Sequence, residues 1–220
     1  MALTLSGTNG VVGAGFTVDA SGVSVTAGVG TFTSYQGSAA SLTQIPAANI
    51  VGVCTSGLTK TGGFGKFASY ALICDSKGNT TDGGTFTSGA WRTRDLNDEI
   101  SDEDSIVSIS SNQFTLGAGT YLIKWKCPAM KVDHHVTKLI LITSGVSSFN
   151  EKAGSSSYAA DNAVVQNESF GVARVTLTGS GAFEIQHRCD VTKTTDGFGQ
   201  PANGYANESI YTIVEIYKEA

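Results

Sequence analysis

The side chains able to do chemistry are few and widely spread. His134 and His135 are adjacent, so on a strand their rings point to opposite faces, whereas His187 and Cys189, two residues apart, share one. Two ligands do not make a metal site, and no Cys-x-x-Cys is present. A threefold axis would turn one histidine into three ligands, but only if the fold brought the rings together. The run Asp95-Leu-Asn-Asp-Glu-Ile-Ser-Asp-Glu-Asp104 clusters carboxylates that suit a hard cation. It lacks the sixth-position glycine and terminal glutamate of a helix–loop–helix calcium loop, so a solvated loop is expected. Cys54, Cys74, Cys127 and Cys189 are too widely spaced for a motif and read as ordinary buried thiols, with a disulfide open to any pair that the fold makes adjacent. The expectation is no metal and no cofactor.

Catalytic motifs are also missing. There is no Gly-x-Ser-x-Gly elbow, no phosphate-binding glycine loop and no His-Glu-x-x-His. Glycoside hydrolysis needs only two carboxylates and has no such signature, but nothing here points to it, and the chain is not expected to be an enzyme. Asn79, Asn167 and Asn207 each open an Asn-x-Ser/Thr triplet, which has meaning only on a secretory route. The N-terminus has neither a basic nor an apolar signal region, and no stretch is apolar enough for a membrane-spanning helix. Synthesis and retention in a reducing cytosol are expected. A net charge of -5 gives no electrostatic case for nucleic acid or an anionic membrane.

The elements that must position these groups are strands. Between Gly84 and Pro128, β-branched and aromatic residues alternate with turn residues. In Tyr121-Leu-Ile-Lys-Trp-Lys126, Tyr121, Ile123 and Trp125 fall on one face while Lys124 and Lys126 fall on the other. Val136-Thr-Lys-Leu-Ile-Leu-Ile-Thr143 is nearly all apolar and predicts a central strand buried on both faces. A loop from Ser144 to Gly154 follows, then strands near Ser155–Ala159, Phe170–Leu177, Ala182–Cys189 and Tyr211–Tyr217, with Thr178-Gly-Ser-Gly181 as a tight turn. No helical periodicity competes, and the chain reads as all-β.

Three segments differ in composition. Residues 1–59 hold one charged side chain, Asp19, and short strand-like pieces at Gly15–Val18, Val23–Thr26, Val29–Thr33 and Leu42–Ile45. Disorder usually brings more charge and fewer β-branched residues. The favoured reading is a β-shaft in which three identical chains supply one another's missing apolar surface. Residues 60–83 read as a glycine-rich connector that carries a possible first strand, Phe67–Cys74, and residues 84–220 as the main domain.

The motifs carry a family resemblance. Gly84-Thr-Phe-Thr-Ser-Gly-Ala-Trp-Arg-Thr-Arg-Asp-Leu-Asn97 with Leu116-Gly-Ala-Gly-Thr-Tyr-Leu-Ile123 resembles the C-terminal knob of bacteriophage tail-fibre proteins, especially those of marine phages infecting cyanobacteria. Phe183-Glu-Ile-Gln-His-Arg-Cys189, Gly197-Phe-Gly199 and Tyr211-Thr-Ile-Val-Glu-Ile216 extend it, and Gly10–Asp19 and Ala47–Val51 resemble the shaft of the same proteins. Such knobs are similar to the jelly roll of the complement globular head and of tumour necrosis factor, which trimerise. The resemblance implies a trimeric β-shaft followed by an antiparallel jelly-roll knob, in a homotrimeric tail-fibre or spike component of the virion, made in the host cytoplasm. It implies other virion proteins as partners of the N-terminal segment, and a host cell-surface glycan or outer-membrane component as partner of the knob. A capsid decoration protein and a surface-polysaccharide depolymerase are the alternatives.

The resemblance also puts the loop before the final strand at the end of the knob away from the C-terminus. That loop, Asp196-Gly-Phe-Gly-Gln-Pro-Ala-Asn-Gly-Tyr-Ala-Asn207, offers Phe198 and Tyr205 as stacking surfaces and Gln200, Asn203 and Asn207 as neutral hydrogen-bonding groups. Aromatic platforms with amides suit a neutral sugar. The competing reading is that the two aromatics only pin the loop to the knob.

Overall fold

The computed structural model describes the backbone of residues 16–19 and 22–25 and the whole of residues 66–220. The chain divides into two units, Met1–Thr59 and Lys60–Ala220. In the first, β1 (Phe16–Asp19) and β2 (Gly22–Val25) form an antiparallel hairpin with Phe16 opposite Val25. The rest of the expected shaft, and Cys54, lie outside the described residues.

The second unit is an all-β sandwich of two antiparallel sheets in jelly-roll order. One sheet runs β11 (Gln166–Leu177), β8 (Gly119–Met130), β13 (Glu208–Glu219), β3 (Phe67–Gly78), β5 (Asp98–Ser101). The other runs β10 (Glu151–Ala159), β9 (Asp133–Leu141), β12 (Gly181–Cys189), β7 (Gln113–Leu116), β6 (Val107–Ser110), with β4 (Arg92–Thr93) also pairing β12. From β7 to β9 the chain crosses between sheets at every step, and it crosses again on entering β11, β12 and β13, so each sheet closes one face of a shared core.

Strand alternation decides what fills that core. Ala71 and Ile73 of β3, Tyr121, Ile123 and Trp125 of β8, Val175 and Leu177 of β11, Phe183 and Ile185 of β12, and Val214 and Ile216 of β13 all point inward and are buried. The Trp125 indole N–H donates to Thr137 Oγ1 at 2.8 Å, and the ring fills the space beside Gly171, where a Cβ would collide with it. Thr137 Oγ1 in turn meets Ser169 Oγ at 2.8 Å, which satisfies a polar group inside the core.

The possible first knob strand is present: Phe67–Gly78 lies inside the five-stranded sheet, between β13 and β5. Three other sequence expectations change. The stretch Gly84–Asn97 is mostly irregular, with Gly84 (φ 112°) and Gly89 (φ 87°) turning the chain at positive φ and only the short β4 pairing in it besides a bridge at Phe86. β9 is buried on its inner face alone; its outer residues are half-covered and Ile142 beyond it is exposed. The expected loop at Ser144–Gly154 ends early, since β10 begins at Glu151.

Candidate functional site

Strand direction fixes which loops share an end of the sandwich. Glu208 pairs with Gly78 and Glu219 with Phe67, while the Ala220 amide donates to the Lys66 carbonyl at 3.1 Å. The loop between β12 and β13, residues 190–207, therefore lies at the end opposite Ala220 and Lys66. Met130 pairs with Gln166, which puts the β8–β9 turn and residues 160–165 at the same far end, joined by residues 79–84 after β3. The β9–β10 loop, 142–150, lies at the near end, where the Ile142 amide donates to the Ala182 carbonyl.

The far-end loops are tied into one surface. Asn79 Nδ2 donates to the Ala206 carbonyl at 2.9 Å, the Gly83 amide to the Gly199 carbonyl at 3.0 Å, and the Gln200 amide to Gln166 Oε1 at 2.7 Å. Tyr211 OH donates to the Thr81 carbonyl at 2.6 Å from below. On this support Tyr205 is 94% exposed, and Asn203, Asn207 and Gln200 of the same loop are exposed. Asn203 has φ 53°, a conformation that asparagine tolerates at a turn. Val164, in the neighbouring 160–165 loop, is 78% exposed.

Phe198 departs from the set. Its ring is partly buried, stacked on Phe86 with centroids 4.4 Å apart, and the Arg94 guanidinium carbon lies 4.3 Å from its centroid. It pins the loop rather than offering a stacking surface, because Gly197 and Gly199 let the backbone sink to where a Cβ at either position would collide with Phe86 or Tyr211. Of the five residues expected to contact a receptor, the structure leaves Gln200, Asn203, Tyr205 and Asn207 on the surface.

Beneath Phe198 lies a buried polar cluster. Arg94 is only 1% exposed and spends its guanidinium on Thr212 Oγ1 (3.0 Å), the Pro128 carbonyl (3.3 Å) and the Phe198 carbonyl (3.1 Å). Among the described residues no carboxylate pairs with it. Nearby, His135 Nδ1 and His187 Nε2 meet at 2.9 Å, both rings buried, while His135 Nε2 and His187 Nδ1 have no partner among the described residues. Burial, then the Arg94 charge, pushes His135 down to about 4; burial, Arg94 and His135 lower His187 well below the ordinary histidine value. Both rings are neutral at pH 7. Sequence reading placed His187 on a shared face with Cys189, but nothing in the alternation pattern marks Arg94 as buried.

The other chemical candidates are absorbed by the fold. His134 faces outward to Asp190 at 3.2 Å. Cys74, Cys127 and Cys189 are free and buried, with burial pushing each thiol up to about 11. Within the acidic run, Asp95 holds Lys77 at 2.9 Å, Asp102 accepts the Ile106 and Val107 amides, and Asp98–Ser101 form β5. Among the described residues no group of three or more histidine, cysteine or acidic side chains is arranged to hold a metal ion.

A second surface is the outer face of the five-stranded sheet. Phe170 is 64% and Val172 51% exposed, beside half-buried Leu122, Ile213 and Tyr217. A shallow groove of about 460 Å³ runs between Lys124, Lys126, Phe170, Val172, Ile213 and Glu215. By contrast, β12 presents Glu184, Gln186 and Arg188 outward on the other sheet.

No family model and no curated relative matches the chain. Among solved structures it is similar to the globular domain of zebrafish complement 1qA, at 13% identity and a TM-score of 0.44, covering 68% of this chain and 96% of that one. It is also similar to the Eiger TNF of S. frugiperda, at 15% identity and a TM-score of 0.45, covering 69% and 92%. The PRD1 vertex protein P5 aligns at 13% identity and a TM-score of 0.42, over 71% of this chain and all of that one.

Proposed function

We propose that the chain is a homotrimeric virion attachment protein, a tail-fibre or spike component, whose far-end loops contact a neutral glycan on the host surface. The observation that carries the reading is the outer face of the five-stranded sheet, where Phe170 and Val172 stand exposed on a strand whose inner face is already packed. Exposed apolar side chains on the outer face of a sheet whose inner face is already packed suit a second covering surface. Its charges come in opposite pairs, Lys126 with Glu168 at 3.3 Å and Arg174 with Glu219 at 2.6 Å, so a second copy meets no unbalanced field. The near-absence of charge in residues 1–59 favours the same association from the sequence side. The virion setting rests on the motif resemblance.

Glycan contact is supported by the chemistry of the far end: one fully presented aromatic, Tyr205, on a loop that also exposes the neutral amides Asn203, Asn207 and Gln200. Three such ends per particle component bind weakly one by one and strongly together through effective concentration. The test is binding of fluorescent protein to host cells, using Tyr205→Ala with Asn203→Ala after confirming an unchanged mass and spectrum. Binding should fall by roughly 0.5–1.5 kcal/mol per site for the lost stacking, multiplied across three sites. Unchanged binding by an intact assembly would move the contact away from this surface.

A further inference from the structure

The histidine pair and Arg94 sit directly under the loop just described, and its fixed point is Phe198. The Phe86 ring bridges the two, 4.7 Å from His187 and 4.4 Å from Phe198 by centroid. Arg94 holds the Phe198 carbonyl, the Phe198 amide donates to the Gly84 carbonyl at 3.0 Å, and the Met130 amide donates to the Gly197 carbonyl at 3.0 Å. Loop and cluster therefore move together or not at all. We propose that His135 and His187, packed with Arg94 beneath Phe198, form a proton-operated latch that keeps loop 190–207 closed at neutral pH and releases it on acidification. The consequence for attachment rests on the reading of this loop as the contact surface; the latch itself does not.

The geometry makes a proton both possible to add and costly to keep. In either tautomer of the pair one ring donates to the other, leaving one unpartnered nitrogen that carries hydrogen and one that carries a lone pair. A proton can enter at that lone pair without breaking the 2.9 Å contact, but it creates a cation in a desolvated cluster beside a permanent one. No element packed there supplies a compensating anion. β9 contributes His135, β12 contributes His187, the protonated thiol of Cys189 and Arg188 at the pocket that His135 lines, β8 contributes Cys127, β13 contributes Thr212, and the β4–β5 link contributes Arg94. The nearby carboxylates are engaged elsewhere: Asp75 and Asp95 with Lys77, Asp190 with outward-facing His134, and Asp196 with Lys193. Opening the loop hydrates the rings and restores ordinary histidine behaviour, so protons bind the open form better.

The sign and size follow from linkage. His135 moves from 6.5 when hydrated to about 4 when closed over. Closure is fully favoured above about pH 6.5 and weakens as pH falls toward 4, and at pH 5 His135 alone shifts the opening equilibrium about thirtyfold. Hydrogen exchange on the full chain, corrected for intrinsic rates, reads this directly. Between pH 7.5 and 5.0 the Gly83, Met130 and Phe198 amides should lose about thirtyfold protection, while the Tyr121–Ile123 amides in the β8–β11 ladder keep theirs. His135→Gln should flatten that pH dependence. If the variant fails to fold, an imidazole NMR titration of the wild-type protein should show the pair taking up its proton at the midpoint of loop opening. Loop protection that is flat with pH, a uniform loss across the ladder, or opening while both rings stay neutral would overturn the latch. None of these readouts involves a receptor, so their failure is separable from failure of the Tyr205 variant to lose binding.

Discussion

Trp125 shows how much one side chain can organise. Its ring fills the space that Gly171 leaves empty on the paired strand, and its N–H closes a buried hydrogen bond to Thr137. Alternation from Tyr121 made this burial readable, because period two admits only one inward set. Replacing it with alanine should destabilise the knob by about 3–5 kcal/mol in urea unfolding, as a large cavity opens and Thr137 loses a partner. A loss below about 1 kcal/mol would place that face in solvent. Gly171→Ala should also destabilise, by about 1–3 kcal/mol, since a Cβ there meets the indole and the ring must shift. Arg94 marks the limit of such reading: a cation in an irregular segment reads as exposed, and only the Phe198 and Pro128 carbonyls brought from distant sequence show why it is buried.

Among the elements, strands with local alternation were legible and their partners were not. β8, β11, β12 and β13 coincide closely with predicted runs, whereas pairings such as β13 with both β3 and β8 join segments far apart in the chain. The part of the fold that positions the candidate site depends on those long-range pairings, which bring residues 79–84, 160–165 and 190–207 to one end. In the sequence Phe198 stays open between stacking surface and loop pin, because a loop aromatic carries no periodicity to reveal which side it faces; its packing on Phe86 fits the pin. β3 was legible as a possible first knob strand despite the glycines around it, but not its pairing on both sides inside the sheet. The element-scale prediction is that a protein beginning near Gly63 folds cooperatively without the first 59 residues. Its near-ultraviolet spectrum should match the knob signal of the full chain. Loss of cooperative unfolding in that fragment would mean the first unit is needed to complete the core.

For the whole molecule, the proposed trimer depends on association through the five-stranded sheet. Burying Phe170 and Val172 on every copy removes apolar surface worth about 25 cal/mol per Å². A charge introduced there should act on assembly and spare the fold, because both side chains point away from the core. Phe170→Lys with Val172→Glu should therefore leave β-sheet content unchanged and yield a smaller particle. Dissociation of the wild type should also depend on protein concentration. The most direct measurement is the solution mass by light scattering at micromolar concentration. Three times the 22.7 kDa chain is expected for the wild type and a single chain mass for the double variant. A wild-type protein that is monomeric, folded and stable at that concentration would contradict the trimer.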